Sequence, residues 1–427
     1  MLLRYGISNY RSISEYQEVS LIASSLKDRI SFMYEIEGFK NKVLPVASIY
    51  GANASGKTNI LKALHFFVSG ILSSHMRGSI EGGISRNAFK LDSKYSKEPS
   101  RFDCDFIHKS VRYHFGYIID DEKIIEEWLY AYPHGTKQVW YYRKHGEAMY
   151  FGKFLKGKNR VIESMTRINS LFISVAAQNN NEKLLDLYKY FKNNFIFSFN
   201  QFKDNEMSYD LLANDKTKDI MIEFLKDADI GIVNSKFEEV KPPDEVYELD
   251  KKIRELVSNH SNFNMKSNVE KKQVKFAHRG AEGEEIYFDI RDESRGTQAL
   301  VKMIGPILTC LAAGATLVID EIDTSMHPHL CIKLIELFNN PEINRKYAQL
   351  LFTTHDTNLL SNKYLRRDEI WFTEKNLTGA TELISLAEIK SRQNDNFEEG
   401  YLQGRYGGIP YLGSFKDQTL YKENYDE

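Results

Sequence analysis

Apolar positions change their spacing several times along the chain. Up to residue 50 the pattern is that of strands, closing on Val43 to Tyr50, an apolar run of the kind that forms a fully buried parallel strand. From Gly56 the period becomes helical, with Ile60, Leu61, Leu64, Phe67 and Val68 on one face. Residues 100–152 alternate apolar and polar positions and are rich in aromatics, which predicts an antiparallel meander joined by hairpin turns. Leu171 to Ala176 reads as another strand, ending at Gln178. From about 183 to 258 the reading is helical, and Val246, Leu249, Ile253 and Leu256 keep three-four spacing for little more than one heptad, too short for a long coiled coil. Pro242-Pro243 interrupts just before that seam, and Asn259 to Lys272 is polar. Strands resume at Gln273 to His278 and Glu285 to Ile290. A helix then runs from about Thr297 to Ala312, a turn falls at Gly314, and Thr316 to Ile319 forms a buried strand ending in two carboxylates. Another helix and a third buried strand, Gln349 to Thr353, follow. The expectation is an α/β fold in three parts: an N-terminal lobe over 1–182, a helical insertion over 183–272 and a C-terminal lobe over 273–427.

Composition narrows the class without deciding it. The chain has 427 residues, 42% hydrophobic and 27% charged, and its 57 Lys and Arg against 59 Asp and Glu leave a net charge of −2. That is ordinary globular composition, so a nucleic-acid contact would need a local basic patch. Cys104, Cys310 and Cys331 lie far apart, without the close pairs of a structural zinc site, and fit a reducing cytoplasm. The N-terminal residues alternate like a strand and lack the order of a signal peptide. Met303 to Ile319 is uncharged but short, carries Gly305-Pro306, and ends on Asp320-Glu321, so it reads as buried core.

The chemistry starts at Gly51-Ala52-Asn53-Ala54-Ser55-Gly56-Lys57-Thr58, two glycines four residues apart followed by Lys and Thr, with a strand before and a helix after. Backbone N–H groups of such a loop, from Asn53 through Asn59, surround phosphate oxygens; Lys57 reaches the β- and γ-phosphates and the Thr58 hydroxyl binds Mg²⁺. Leu317-Val318-Ile319-Asp320-Glu321 supplies the second part: Asp320 faces Mg²⁺ and Glu321 orients or deprotonates the attacking water. Together they imply ATP or GTP hydrolysis and leave the P-loop class open.

What lies between and after these motifs resembles the ABC-class ATPases of the SMC, RecF and OLD group over most of the chain. Asp292-Glu293-Ser294-Arg295-Gly296-Thr297-Gln298 is similar to a degenerate ABC signature, so Ser294, Arg295 and Gly296 are expected to cap the γ-phosphate bound by an opposite subunit. Leu351 to Asp356 resembles the switch-histidine strand, with His355 on the γ-phosphate, and Ile322 to Pro328 resembles the loop that crosses a dimer. Gln178 is the candidate for the glutamine that senses Mg²⁺ and water, and Asn9-Tyr10-Arg11-Ser12 resembles a first-strand element that puts Arg11 near the nucleotide. His327-Pro328-His329 is a weak alternative metal pair.

Phe224 to Ile232 and Gly400 to Pro410 resemble stretches of the stand-alone RloA or AbiLi-like ATPases of abortive infection and phage defence. The resemblance implies an ABC-type ATPase head with an antiparallel β subdomain, ATP and Mg²⁺ as ligands, and an ATP-dependent homodimer. It also implies a separately encoded nuclease or toxin effector, since the roughly 70 residues after His355 leave little room for a fused Toprim domain. A RecF-like clamp on DNA is the rival expectation, and no membrane partner is expected. A kinase or GTPase would leave Ser294 to Gln298 and His355 unemployed.

Overall fold

The alternating aromatic stretch after residue 100 forms antiparallel strands, and the unbroken apolar runs form parallel ones. The computed structural model describes residues 1–28, 32–77, 82–199, 205–228, 230–240, 271–392 and 395–409. In chain order the elements begin with β1 (Leu2–Ser8), β2 (Gln17–Ser20), β3 (Val46–Gly51), α1 (Lys57–Arg77) and α2 (Ser93–Lys97). The meander follows as β4 (Ser100–His108), β5 (Val111–Ile119), β6 (Ile124–Tyr132), β7 (Gln138–Lys144) and β8 (Tyr150–Phe151). Next come α3 (Asn159–Met165), α4 (Phe172–Gln178), α5 (Glu182–Asn193), β9 (Phe195–Ser198), α6 (Asn205–Ala213) and α7 (Asp215–Asp227). Then follow β10 (Asn234–Val240), β11 (Lys271–Arg279), β12 (Glu285–Asp289), α8 (Arg295–Ala313), β13 (Thr316–Ile319) and α9 (Pro328–Asn339). The chain continues with β14 (Gln349–Thr353), β15 (Ile370–Lys375), β16 (Thr381–Ser385) and α10 (Phe397–Leu402).

Contacts group the chain into two units, 1–193 with 350–427, and 194–349. In the first, β2-β1-β4-β5-β6-β7-β8 form one antiparallel sheet. Its inner face is aromatic: Phe67 of α1 stacks on Tyr117 at 5.4 Å, and Tyr190 of α5 stacks on Phe106 at 4.7 Å. The same unit holds β3 between β14 and β15, both parallel to it, with β16 antiparallel on β15. All of β3 is buried, which is why it carries no alternation.

The second unit pairs β9 with β13 in parallel and sets β10, β11 and β12 in a small antiparallel sheet. Its core helix, α8, tolerates Pro306 in mid-helix for a specific reason. Proline cannot donate to the Lys302 carbonyl four residues back. The Ser208 hydroxyl of α6 donates to that carbonyl instead, at 3.2 Å, and accepts the Gly305 N–H at 3.2 Å. The left-handed Gly314 (φ 69°) then ends the helix. α8 is the one helix among the described residues long and apolar enough to span a membrane, but it is mostly buried within the protein.

Two readings need correction. Leu171 to Ala176 is not a strand: Phe172–Gln178 is a helix whose first N–H groups are taken by a buried carboxylate, Glu127, which accepts from Phe172 at 2.7 Å and Ile173 at 3.1 Å. A run apolar on every side has no period to separate the two states, and the acceptor comes from a strand 45 residues earlier. The stretch read as helical from 183 also contains β9 and β10. β9 is only four residues, Phe-Ile-Phe-Ser, recognisable through its partner β13. The seam Val246 to Leu256 lies outside the described residues.

Ion pairs and one buried acid tie the segment before β15 to the rest of its unit. Arg367 pairs with Asp28 at 2.8 Å and Arg366 with Asp368 at 2.9 Å. Glu369, fully buried, accepts the Arg366 N–H through one oxygen, at 2.8 Å, while its other oxygen has no partner. Burial, reinforced by Asp368, pushes its carboxyl up to about 8 from an ordinary 4.5. The native state therefore keeps a proton that the unfolded chain releases above about 4.5, and stability falls as pH rises from there through about 8. A Glu369→Gln chain is expected to show a melting temperature that varies less between pH 5 and 8 than the wild type's; equal slopes would count against a protonated Glu369.

Candidate functional site

The phosphate loop leaves β3 at Gly51 and enters α1 at Lys57. Gly51 (φ 152°), Ala54 (φ 63°) and Gly56 (φ 115°) all lie at positive φ, so the loop turns back on itself. A side chain at Gly51 would run into Thr373 and Ser55, and one at Gly56 would run into Thr381 and Ser12. Those same neighbours hold the loop. Ser55 and Thr373 share a hydroxyl hydrogen bond of 2.6 Å, Thr373 donates to the Tyr50 carbonyl at 3.1 Å, and Thr381 donates to the Ser55 carbonyl at 2.7 Å. Lys57 is 6% exposed and its ammonium donates to the carbonyls of Gly51 and Ala52 at 2.7 and 3.1 Å. Asn53 and Ala54 form the exposed tip.

The other residues expected in this unit stand as follows. Asn59 donates to the Ser12 hydroxyl at 2.8 Å, and Ser12 in turn meets Thr381 at 2.8 Å, so the Asn9 to Ser12 element braces the loop from behind. Asn9 itself is a clamp, donating to the carbonyls of Tyr95 and Glu98 at 2.7 Å each. Arg11 is exposed with φ 53°, and its Nε donates to the Tyr10 hydroxyl at 3.3 Å. β14 runs in register with β3, Thr353 opposite Ile49, so exposed His355 leaves its strand at the edge where β3 enters the loop. Gln178 ends α4 and is exposed; its side chain hydrogen-bonds Tyr188, whose hydroxyl donates to the Leu72 carbonyl at 2.8 Å. The bracing hydroxyls of Thr373 and Thr381 had no sequence signal, lying more than 300 residues from the loop they hold.

In the second unit β13 is buried throughout, and Asp320 follows it with its N–H on the Ser198 carbonyl at 3.0 Å. Glu321 is exposed in the left-handed region (φ 55°), and its carboxylate accepts the Thr324 hydroxyl at 3.2 Å. That conformation costs a non-glycine residue on the order of 1–3 kcal/mol. Ser294 caps α8, accepting the Thr297 N–H at 3.1 Å, while Arg295 is exposed at the first turn. Glu293 is anchored by His278 at 2.7 Å, and Gln298 donates to the Glu293 carbonyl at 2.9 Å. Gly296 rests against Ser325: a Cβ there would sit 3.0 Å from the Ser325 carbonyl oxygen. The turn at Ser294 to Gly296 and the loop after Glu321 therefore touch. His327 caps α9, accepting the His329 N–H at 3.2 Å with the two rings stacked at 5.2 Å. Among the described residues no group of three His, Cys, Asp or Glu is placed to hold a metal.

A buried strand, a glycine-bounded loop at positive φ and a helix that opens on Lys57-Thr58 define a P-loop nucleoside triphosphatase of mixed α/β fold. The Thr58 hydroxyl, at the first turn of α1, is a hard oxygen donor of the kind Mg²⁺ takes. The family model described as "AAA domain, putative AbiEii toxin, Type IV TA system" matches residues 46–361, and the chain belongs to that family. No curated protein matches the chain. Among solved structures it is similar to an SMC head bound to the C-terminal winged-helix domain of ScpA, with 12% identity and a TM-score of 0.39 over 90% of this chain and 97% of that one. It is also similar to the SMC head domain from Thermotoga maritima, with 10% identity and a TM-score of 0.39 over 90% and 98%.

Proposed function

We propose that the protein is an ATP-hydrolysing switch of the ABC type that works as a homodimer in phage defence, acting through a separately encoded effector such as a Toprim-type nuclease. The observation that carries this reading is the pair of half-sites, a complete phosphate loop with Lys57 and Thr58, and a capped signature turn whose Gly296 lies on the loop following Glu321. Each subunit would bind ATP through Lys57 and receive Ser294, Arg295 and Gly296 from its twin, with Glu321 as base and His355 on the γ-phosphate. Thr58, Asp320 and Gln178 would hold Mg²⁺, which supplies charge neutralisation at the phosphates. Loss of the γ-phosphate would release the pair, as in other phosphate-driven switches. The defence role rests on the RloA and AbiLi-like segments and on the toxin–antitoxin description of the family.

Mixing two inactive chains tests the shared site. Lys57→Ala and Gly296→Asp proteins are each expected to be inactive, and an equal mixture to recover turnover up to about a quarter of the wild type's, because at most half the dimers then hold one intact site of two. No recovery would overturn the shared-site reading.

A second reading has one observation in its favour. A cleft of about 650 Å³ in the first unit is lined by Lys156, Lys158, Lys183 and Asn179 to Asn181, and Lys153 and Arg160 lie close by in sequence. Glu182 also lines the cleft and Arg160 pairs with Glu163 at 2.8 Å, so the three lysines leave a modest local excess of positive charge, of the kind a RecF-like role on DNA would use. Stimulation of ATP turnover by duplex DNA, falling steeply with salt, would favour it.

A further inference from the structure

The segment 397–409 has no part in the site as described, yet two of its contacts reach that site. At one end Glu398 of α10 accepts the Thr357 hydroxyl at 2.8 Å, and Thr357 lies two residues after His355. At the other end Gly408 lies on the phosphate loop: a Cβ on it would sit 3.5 Å from the Gly51 Cα and 3.3 Å from the Thr373 carbonyl oxygen. Between these points the segment is held by its own cap, turns and ring contacts. Asn396 caps α10 by accepting the Glu399 N–H at 3.2 Å, and Gly404, Gly407 and Gly408 take φ of 77°, 72° and 72°, which only glycine adopts without strain. The Tyr401 hydroxyl donates to the Gly408 carbonyl at 3.1 Å, closing the segment on itself. Tyr401 and Tyr406 both stack on Phe372, at 5.4 and 5.6 Å, and Phe372 is the register partner of Tyr50, the residue before Gly51.

We infer that residues 397–409 form a clasp that holds the turn after His355 and the first glycine of the phosphate loop at a fixed separation, with Glu398 and Gly408 as positioning residues for the triphosphate. This rests on the ATPase reading for its purpose, and on geometry alone for its mechanics. A γ-phosphate must meet Lys57 and His355 together, so the two must be held before the ligand arrives. Preorganisation of that kind lowers the ordering cost of binding. Loss of the clasp should therefore appear as weaker nucleotide capture with the chemical step preserved. A charge-assisted hydrogen bond such as that of Glu398 is worth about tenfold in a binding constant.

The test uses the full chain and three proteins: wild type, Glu398→Ala and Glu398→Gln, whose amide oxygen still accepts from Thr357. In steady-state ATP hydrolysis, Glu398→Ala is expected to raise KM about tenfold with kcat within about twofold, and Glu398→Gln to restore KM. A merely destabilised fold would instead lower apparent kcat by removing active enzyme and leave KM unchanged, which would overturn the inference. Amide hydrogen exchange without nucleotide separates this from the ATPase reading. Glu398→Ala should speed exchange over both 51–58 and 354–359, and unchanged exchange in either segment overturns the clasp even if the wild type fails to hydrolyse ATP.

Discussion

Replacing Lys57 with alanine is expected to lower ATP turnover at least a hundredfold and to weaken ATP binding to the point where saturation is not reached. The expectation follows from two roles in one side chain. As a buried ammonium at the start of α1, Lys57 adds a full positive charge to the partial charge of the helix N-terminus, and removing one such preorganised group commonly costs about 10²–10³ in rate. In the structure it also donates to the carbonyls of Gly51 and Ala52, so alanine deprives two acceptors in a tight loop of a donor. The variant should therefore melt lower as well, by an amount corresponding to about 1–3 kcal/mol. Titration calorimetry with ATP together with a thermal melt checks both parts. Wild-type affinity in the alanine variant would mean that the loop does not bind the triphosphate.

The Glu321→Gln chain is expected to bind ATP normally, to hydrolyse it about a thousandfold more slowly, and to accumulate as an ATP-bound dimer in size-exclusion chromatography. Glutamine keeps the size of the side chain and its acceptor for Thr324 but cannot take a proton from water, and a positioned base is worth about 10²–10⁴. A monomer at saturating ATP would remove the basis for shared sites. The backbone adds a second expectation. Since Glu321 sits at φ 55°, asparagine, which tolerates that region better, should raise the melting temperature of an inactive Glu321→Asn protein above wild type. Such a gain would show that the fold bears strain to present this acid.

What the sequence made legible was local. The phosphate loop, the Asp320-Glu321 strand end, the capped turn at Ser294 and the strand before His355 each occupy fewer than ten consecutive residues, and the structure places each on the expected element. What it concealed was supplied from a distance. Thr373 and Thr381 are ordinary strand threonines until β15 lies beside β3. Phe172 to Gln178 is helical, its first N–H groups accepted by Glu127 from another element. β9, four residues long, is defined by β13, more than a hundred residues later. The C-terminal segment drew notice by its glycines, but its contact with Gly51 could not be read before the chain was folded.

The seating of Gly296 on the Ser325 carbonyl has a consequence for timing. In the proposed dimer, backbone that shifts when Glu321 acts on one nucleotide would drag the Gly296 turn placed over the other, so the two sites would be coupled. Spent and fresh nucleotide would then be held by turns, and a burst of about one phosphate per pair, followed by slower steady release, would be its signature in rapid-quench kinetics.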